Sequence, residues 1–300
     1  MTTGSYVVLE ERGILAIEGE DVRFFLQGII SNDIEKVTDN TAIYAALLTP
    51  QGKYLFDFMI AKQGERLLLE AEAERLQALS QRLTMYKLRA KVDITDVSAD
   101  FGVVALLGDV RRETFDLPNE EGGAVQFEGG VVFVDPRLSA LGARAFLPRP
   151  ILPAALTDKG YVQGDLDTYQ ARRLQLGVPE GSQDLAVDKA TLLESGFEEL
   201  NGVDFQKGCF VGQELTARMK YRALVKKRLM PITFDGMPPA AGTLIKAGTR
   251  EIGEVRSAKN GFGLALLRLD RLADAEEKGQ ALDADGVTVK SERPTWFFDT

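Results

Sequence analysis

Cys209, in the segment KGCFVGQE (207–214), is the only cysteine in a chain of 300 residues that contains no histidine. A thiolate here would have no imidazole to serve it. No Ser-His-Asp or Cys-His arrangement and no zinc site of the usual Cys/His kind can be built from this chain. Acid–base work falls to Asp, Glu, Lys, Tyr or the thiol itself. Gly208 and Gly212 bracket the cysteine, and GQELTARMKYR, which follows, predicts a helix in which Glu214 and Arg218 form an i,i+4 pair. A position just before a helix N-terminus and beside Lys207 favours the thiolate. A small buried side chain ahead of a helix is the competing reading, because free cysteine is among the most buried residue types.

Two further features could carry chemistry. Asp57 lies in QGKYLFDF, where Tyr54, Phe56 and Phe58 alternate with Leu55, Asp57 and Met59; such a strand either aims the carboxylate at a site or leaves it on a solvated face. Between Glu214 and Asp235 there is no acidic residue, while Arg218, Lys220, Arg222, Lys226, Lys227 and Arg228 accumulate. A solvated helix face, a cradle for phosphates or a polyglutamate tail, and a docking surface for a protein or tRNA all remain open for that stretch. Tyr221 among the arginines is one aromatic only, too few for a stacking platform.

The elements that must position these residues follow from periodicity and breakers. ILAIEG is a strand, EDVRFFLQGII has helical spacing (Val22, Phe25, Leu26, Ile29), and SNDIEKVTDN is a polar loop. TAIYAALLT and KYLFDFMI form a hairpin about the turn LTPQGK. A strand (RLLLEAE), a helix (AERLQALSQRLTMYKLR) and two strands (KVDITDVS, FGVVALLG) follow, with a boundary expected at the Pro-spaced LPRPILPAAL. DLDTYQARRLQLG is a helix with an acidic first turn, stopped at Gly177. The long polar segment from Gly177 to Gly208 is of a length that is uncommon unless functional. From Lys226, short apolar runs between Gly and Asp turns predict a small β-barrel or sandwich.

Composition sets limits. A 45% apolar and 27% charged chain is ordinary for a soluble protein, and 300 residues predict two or three domains. No apolar run approaches the roughly 18 residues of a membrane span, and the start MTTGSYVVLEERG lacks a basic flank and an apolar core, so no membrane partner and a cytoplasmic location are expected. One cysteine fits a reducing compartment. A net charge of −9 argues against coating nucleic acid, and no direct sequence-specific nucleic-acid binding is expected.

KGCFVGQELTAR resembles the signature of the YgfZ family of folate-binding proteins, whose mitochondrial relatives assist iron–sulfur cluster assembly. FFLQGIISNDI, LTPQGKYLFDF, RRLQLGVPEG and ESGFEELNGVDFQ look like the same family in the same order, so the resemblance spans three quarters of the chain. The same landmarks resemble the aminomethyltransferase of the glycine cleavage system, in which an acidic residue stands where this chain has Cys209. The resemblance implies an α+β, three-domain aminomethyltransferase-like fold with an inserted ferredoxin-like domain and a C-terminal β-barrel. The expected division is a discontinuous folate-binding domain (1–49 plus 148–225), a ferredoxin-like domain (50–147) and the barrel (226–300). Tetrahydrofolate or a derivative is the implied cofactor, with Asn32, Asp57, Gln175 and Glu194 as its contacts. Asp57 matches the aspartate that meets the reactive folate nitrogen. Gln175 falls where the aminomethyltransferases grip the pterin with a glutamate, and Glu194 could supply the missing carboxylate. Iron–sulfur assembly or client proteins are the implied partners, and the motif Lys207, Gly208, Cys209, Gly212, Gln213, Glu214 is the implied working end. A single thiolate cannot hold a four-iron cluster, so no stably bound metal is expected and Cys209 would ligate only transiently. A one-carbon transfer enzyme, which Asp57 favours and Cys209 with Gln175 counts against, and an accessory role in tRNA modification, are the alternatives.

Overall fold

The computed structural model describes residues 4–108, 112–222 and 225–298. The described strands form a five-stranded sheet, a six-stranded sheet and a closed six-stranded barrel.

The five-stranded sheet is antiparallel throughout, in the order Ile43–Leu48, Tyr54–Gln63, Arg66–Glu72, Arg12–Glu18, Asp93–Asp96. Its two faces explain Asp57. Phe56, Phe58 and Ile60 pack with Leu26, Leu79 and Leu83 of the covering helices, whereas Met59 and Ala61, in phase with Asp57, join the core that also holds Val7, Val103 and Phe146 of the other sheet. With both faces covered, a strand-face aspartate has no route to solvent, and Asp57 is 4% exposed.

The six-stranded sheet runs Val162–Gln163, Ser5–Val8, Phe101–Leu107, Ala143–Pro148, Gly130–Val134, Ala124–Phe127, with only its first pair parallel. The boundary expected at LPRPILPAAL is corrected here. That segment finishes a strand and enters the helix Leu152–Asp158, whose Leu152 and Leu156 are buried with Val104, Leu106 and Leu147 in the core of the six-stranded sheet. The cut expected at 49/50 falls within the hairpin of Ile43–Leu48 and Tyr54–Gln63, and the expected insert contributes strands to both sheets. Both sheets take strands from the first 20 residues, which is why local sequence could not divide them.

Helix Leu166–Gln175 starts where Asp165 accepts the Thr168 N–H at 2.7 Å, and it buries Tyr169, Gln170, Arg173 and Leu174. The segment beyond it stays irregular apart from one turn, Gly181–Asp184, before helix Gln213–Tyr221. The barrel is ordered Lys227–Phe234, Phe262–Arg268, Arg250–Lys259, Leu244–Ala247, Leu282–Ala284, Val287–Ser291, closing through Phe234 and Val289. Its apolar runs were legible, but the helix Leu269–Glu277 between strands was not expected. Among the described residues no helix is long and apolar enough to cross a membrane.

Candidate functional site

Cys209 is exposed. It lies on a cleft of about 630 Å³ whose walls come from two helices, Val22–Gln27 with Phe24, Phe25 and Gln27, and Leu76–Lys87 with Tyr86 and Lys87, together with Leu88 and Arg89 just beyond the second. The reading of a small side chain buried ahead of a helix is thus excluded. The loop carrying the thiol is tied down on both sides of it. Lys207 Nζ donates to the carbonyl oxygens of Gln27 at 2.7 Å and Ile30 at 2.6 Å, the Val211 N–H donates to the Gly28 carbonyl at 3.2 Å, and the Phe210 N–H donates to Gln213 Oε1 at 3.1 Å. The Lys207 ammonium therefore serves the end of the short helix Val22–Gln27 as a tether for the loop. Burial holds its pKa down at about 8. Gln213 is the first residue of its helix, behind Gly212 at the N-cap, and Glu214 is exposed on the first turn.

Gly208 and Gly212 both have positive φ, +95° and +81°, but only Gly212 is hemmed in: a Cβ there would lie 2.5 Å from the Thr49 carbonyl oxygen. The basic stretch divides. Lys220 pairs with Glu198 and stands 4.0 Å from the centre of the Phe205 ring, and Arg228 pairs with Glu199. Arg218, Tyr221 and Arg222 are exposed.

Asp57 is accepted into a different setting, the interior. Tyr44 Oη donates to its Oδ2 at 3.0 Å, Tyr54 Oη donates to its Oδ1 at 2.6 Å, and the Gly181 N–H donates to Oδ2 at 3.4 Å. Burial and the carboxylate together raise both tyrosines well above their ordinary pKa, so the two phenols stay protonated donors. Asn32 is buried close by. Its Nδ2 donates to the carbonyls of Tyr44 and Asn201, both at 2.8 Å, and its Oδ1 accepts the Asp33 N–H. Asn32 and Tyr44 line a cleft of about 290 Å³ with Asn201 and Pro136.

The other two expected contacts lie elsewhere. Gln175 is exposed at the end of its helix, on a surface depression with Asp165, Thr168 and Asn260. Helical spacing explains this, since Tyr169, Gln170, Arg173 and Leu174 occupy the inward face. Glu194 accepts from Thr191 Oγ1 at 2.8 Å in a local turn, and its carbonyl accepts the Leu229 N–H of the barrel. Asn32 and Asp57 thus hold the two ends of Tyr44, its backbone carbonyl and its phenol, and Gln175, Glu194 and Cys209 have no bond to that residue.

Glu180 is the carboxylate among the buried arginines. Among the described residues the buried charged side chains are Arg12, Arg137, Arg144 and Arg173 with Asp57, Glu70, Asp135, Glu180 and Asp184. Arg12 pairs with Glu70, and Arg137 clasps Asp135 through two nitrogens at 3.0 and 2.8 Å. Tyr169 Oη donates to Glu180 and accepts from Arg144 at 2.8 Å. Arg173 donates to Asp184 at 2.6 Å, and Ser257 of the barrel donates to the other oxygen of that carboxylate. Burial would raise Glu180, but Arg12, Arg173, Arg137 and Arg144 hold it down at about 2. Burial wins at Asp184, which is pushed up. Glu180 lines a cleft of about 560 Å³ with Glu11, Arg12, Gln170, Arg173 and Gly181, and its Oε2 is buried without a hydrogen-bond partner. Sequence reasoning missed this group. The available signals were an arginine inside the apolar strand GARAFLP and a glutamate inside RRLQLGVPEG.

Three bodies meeting at a buried ionic seam, with a barrel strand closing it through Ser257, define an aminomethyltransferase-like fold. Comparison with known proteins agrees. Residues 9–116 match the family described as the GCVT N-terminal domain, and residues 226–299 match the CAF17 C-terminal beta-barrel domain. The crystal structure of glycine cleavage system aminomethyltransferase T from Bartonella henselae superposes over 99% of this chain and 87% of its own, with a TM-score of 0.77 at 16% identity. Among curated proteins, the mitochondrial iron-sulfur cluster assembly factor IBA57 of Mus musculus is 34% identical, the match covering 96% of this chain and 84% of the relative. The Homo sapiens protein of the same name is 31% identical over the same shares. This chain belongs to the IBA57 family of iron–sulfur cluster assembly factors, a family related to the YgfZ proteins whose motifs it resembles. Those relatives are mitochondrial by name, which overturns the cytoplasmic location expected from the sequence.

Proposed function

We propose that this chain assists iron–sulfur cluster assembly by offering Cys209 as a soft sulfur ligand, or as a thiol, to a cluster-bearing partner, while a reduced folate occupies the Glu180 cleft. The observation that carries the reading is the position of the one cysteine: exposed, at a cleft lined by Phe24, Phe25 and Leu88, on a loop held by Lys207 and Gly212. An exposed sulfur in a chain without histidine suits soft-metal ligation better than acid–base work. The remaining cluster ligands come from the partner or from small thiols.

The folate half rests on chemistry in the interior. A pterin presents an amino group and a ring N–H side by side, and a carboxylate accepts both. Glu180 Oε2 is a buried, ionised acceptor that takes no hydrogen bond, with Arg173 Nε at 3.8 Å as its ion-pair neighbour. The cleft of about 560 Å³ is within the ~300–1,000 Å³ usual for small-molecule sites. Gln175 and Glu194 have no part in this arrangement. Asp57 stands behind it through the Gly181 N–H and orders the two tyrosines. A bound tetrahydrofolate would supply a one-carbon-carrying amine. The one-carbon transfer enzyme is the weaker reading, because the carboxylate it needs already accepts from three donors. A tRNA-modification effect would follow from cluster supply.

Calorimetry with tetrahydrofolate and its formyl derivative, run beside complementation of cells lacking the native protein, tests both halves. Folate binding by wild type and by Cys209→Ser, with rescue by wild type alone, is the expected result. Full rescue by Cys209→Ser removes the thiol's role, and absence of heat well above micromolar folate removes the cofactor.

A further inference from the structure

We propose that the mouth of the Cys209 cleft is a docking surface for an acidic protein segment that bears a large apolar side chain beside its own thiol. The inference rests on the reading that Cys209 meets a partner's sulfur, and it names the chemistry of that partner.

Phe24, on the first helix, and Leu88, just beyond the second, are each 86% exposed and line the same cleft as the thiol. Single exposed apolar residues are ordinary, but two nearly bare ones facing a common depression mark an interaction site. Leu88 adds a conformational argument. It follows helix Leu76–Lys87 with φ +47° and ψ −102°, a positive-φ backbone conformation that a branched side chain rarely adopts. At 86% exposure, this leucine buries little of its side chain within the chain itself.

Charge selects the occupant. In a chain of net charge −9, the lining of this cleft carries Lys87, Arg89 and Lys207 against Asp21 alone. The lysine ammoniums bond to backbone carbonyls (Lys87 to Val92, Lys207 to Gln27 and Ile30), so those bonds leave their charge in place. Asp21 is engaged by the Lys91 N–H at 2.8 Å, and Arg89 is exposed. Such a rim speeds the approach of carboxylate-bearing partners and turns away basic ones.

Three synthetic peptides, each with one cysteine activated as a mixed disulfide with thionitrobenzoate, test this on the full chain. In the reaction the Cys209 thiolate attacks the peptide sulfur, a new S–S bond joins protein and peptide, and thionitrobenzoate leaves with the electron pair and is read by its colour. One peptide has glutamates flanking Leu-Cys, the second has lysines in their place, and the third has alanine in place of the leucine. Each rate is divided by that of the same protein with a small neutral disulfide. At low salt the glutamate–leucine peptide is expected to react at least about tenfold faster than the lysine peptide. Phe24→Asp and Leu88→Gly should abolish the preference for leucine over alanine, and Arg89→Glu should shrink the preference for glutamate. Equal normalised rates for all three peptides, or preferences untouched by these variants, overturn the docking surface. Full rescue by Cys209→Ser in cells overturns the functional reading instead, so the two failures are distinct.

Discussion

A Cβ placed on Gly212 would lie 2.9 Å from the Cα of Gly52, and one on Gly52 would lie 2.8 Å from the Gly212 carbonyl oxygen. The turn before the Asp57 strand and the end of the Cys209 loop are therefore locked backbone to backbone. Both glycines have positive φ, +75° and +81°, so each fills two requirements at once, conformation and space.

Gly212→Ala should accordingly cost about 2–4 kcal/mol, combining overpacking against backbone with the left-handed penalty. Gly208→Ala, at φ +95° but with open space around it, carries only the second cost. Urea titrations of the two variants provide the comparison. Equal losses would mean that the contact between the turns has no energetic role.

Asp57→Ala removes the acceptor of two buried phenols and should destabilise the chain by about 2–4 kcal/mol. Asp57→Asn retains one carbonyl oxygen and should lose roughly half as much. Chemical denaturation measures both. A loss below about 1 kcal/mol for Asp57→Ala would show that Tyr44 and Tyr54 find other partners at no cost.

How far the sequence revealed this site depends on the residue. The Cys209 loop was readable because Gly208, Gly212 and the following helix are local signals, and their consequence is local too. The hairpin around LTPQGK was readable for the same reason. Asp57 could not be placed by alternation, because alternation says which face a side chain takes but not what covers that face; here a second sheet does. Gln175 was placed by its match to another family's motif, and helical phase turned it outward, leaving Glu180 five residues on as the buried carboxylate. The arginines around Glu180 come from sequence positions 12, 137, 144 and 173, far apart in the chain, and only tertiary structure unites them. The barrel, built from neighbouring hairpins, needed no such long-range information.

Glu180 gives the seam an acid limit. Its folded pKa is about 2 against an ordinary 4.5, so the folded chain holds fewer protons than the unfolded one between those values. The resulting stabilisation is complete above pH 4.5 and is lost as pH falls through 2, amounting to about 3 kcal/mol. Glu180→Gln should lower stability at pH 7, because four buried arginines lose a counter-charge, and should flatten stability against pH between 4.5 and 2. Thermal melts of both proteins across that range decide it. Parallel curves would assign the acid transition to other carboxylates.

Lys207 adds a second pH dependence, in the loop that bears the thiol. Burial lowers its pKa from 10.5 to about 8, against the weaker pull of Asp33 and Asp204. Between those values the unfolded chain binds more protons at this group than the folded chain does, so its contribution to stability rises with pH from 8 to 10.5. Below pH 8 the half-buried charge is a constant burden, tolerated because the ammonium ties the loop to the carbonyls of Gln27 and Ile30. Lys207→Met removes both the burden and the tether. The difference in melting temperature, wild type minus variant, should therefore increase across pH 8–10.5. At pH 7 the variant should exchange the Val211 amide hydrogen faster, since the bond from that amide to the Gly28 carbonyl belongs to the same junction. A pH-independent difference would show that the amine is solvated in both states. Unchanged exchange at Val211 would show that the backbone contacts of Gly212 hold the Cys209 loop without help from the lysine.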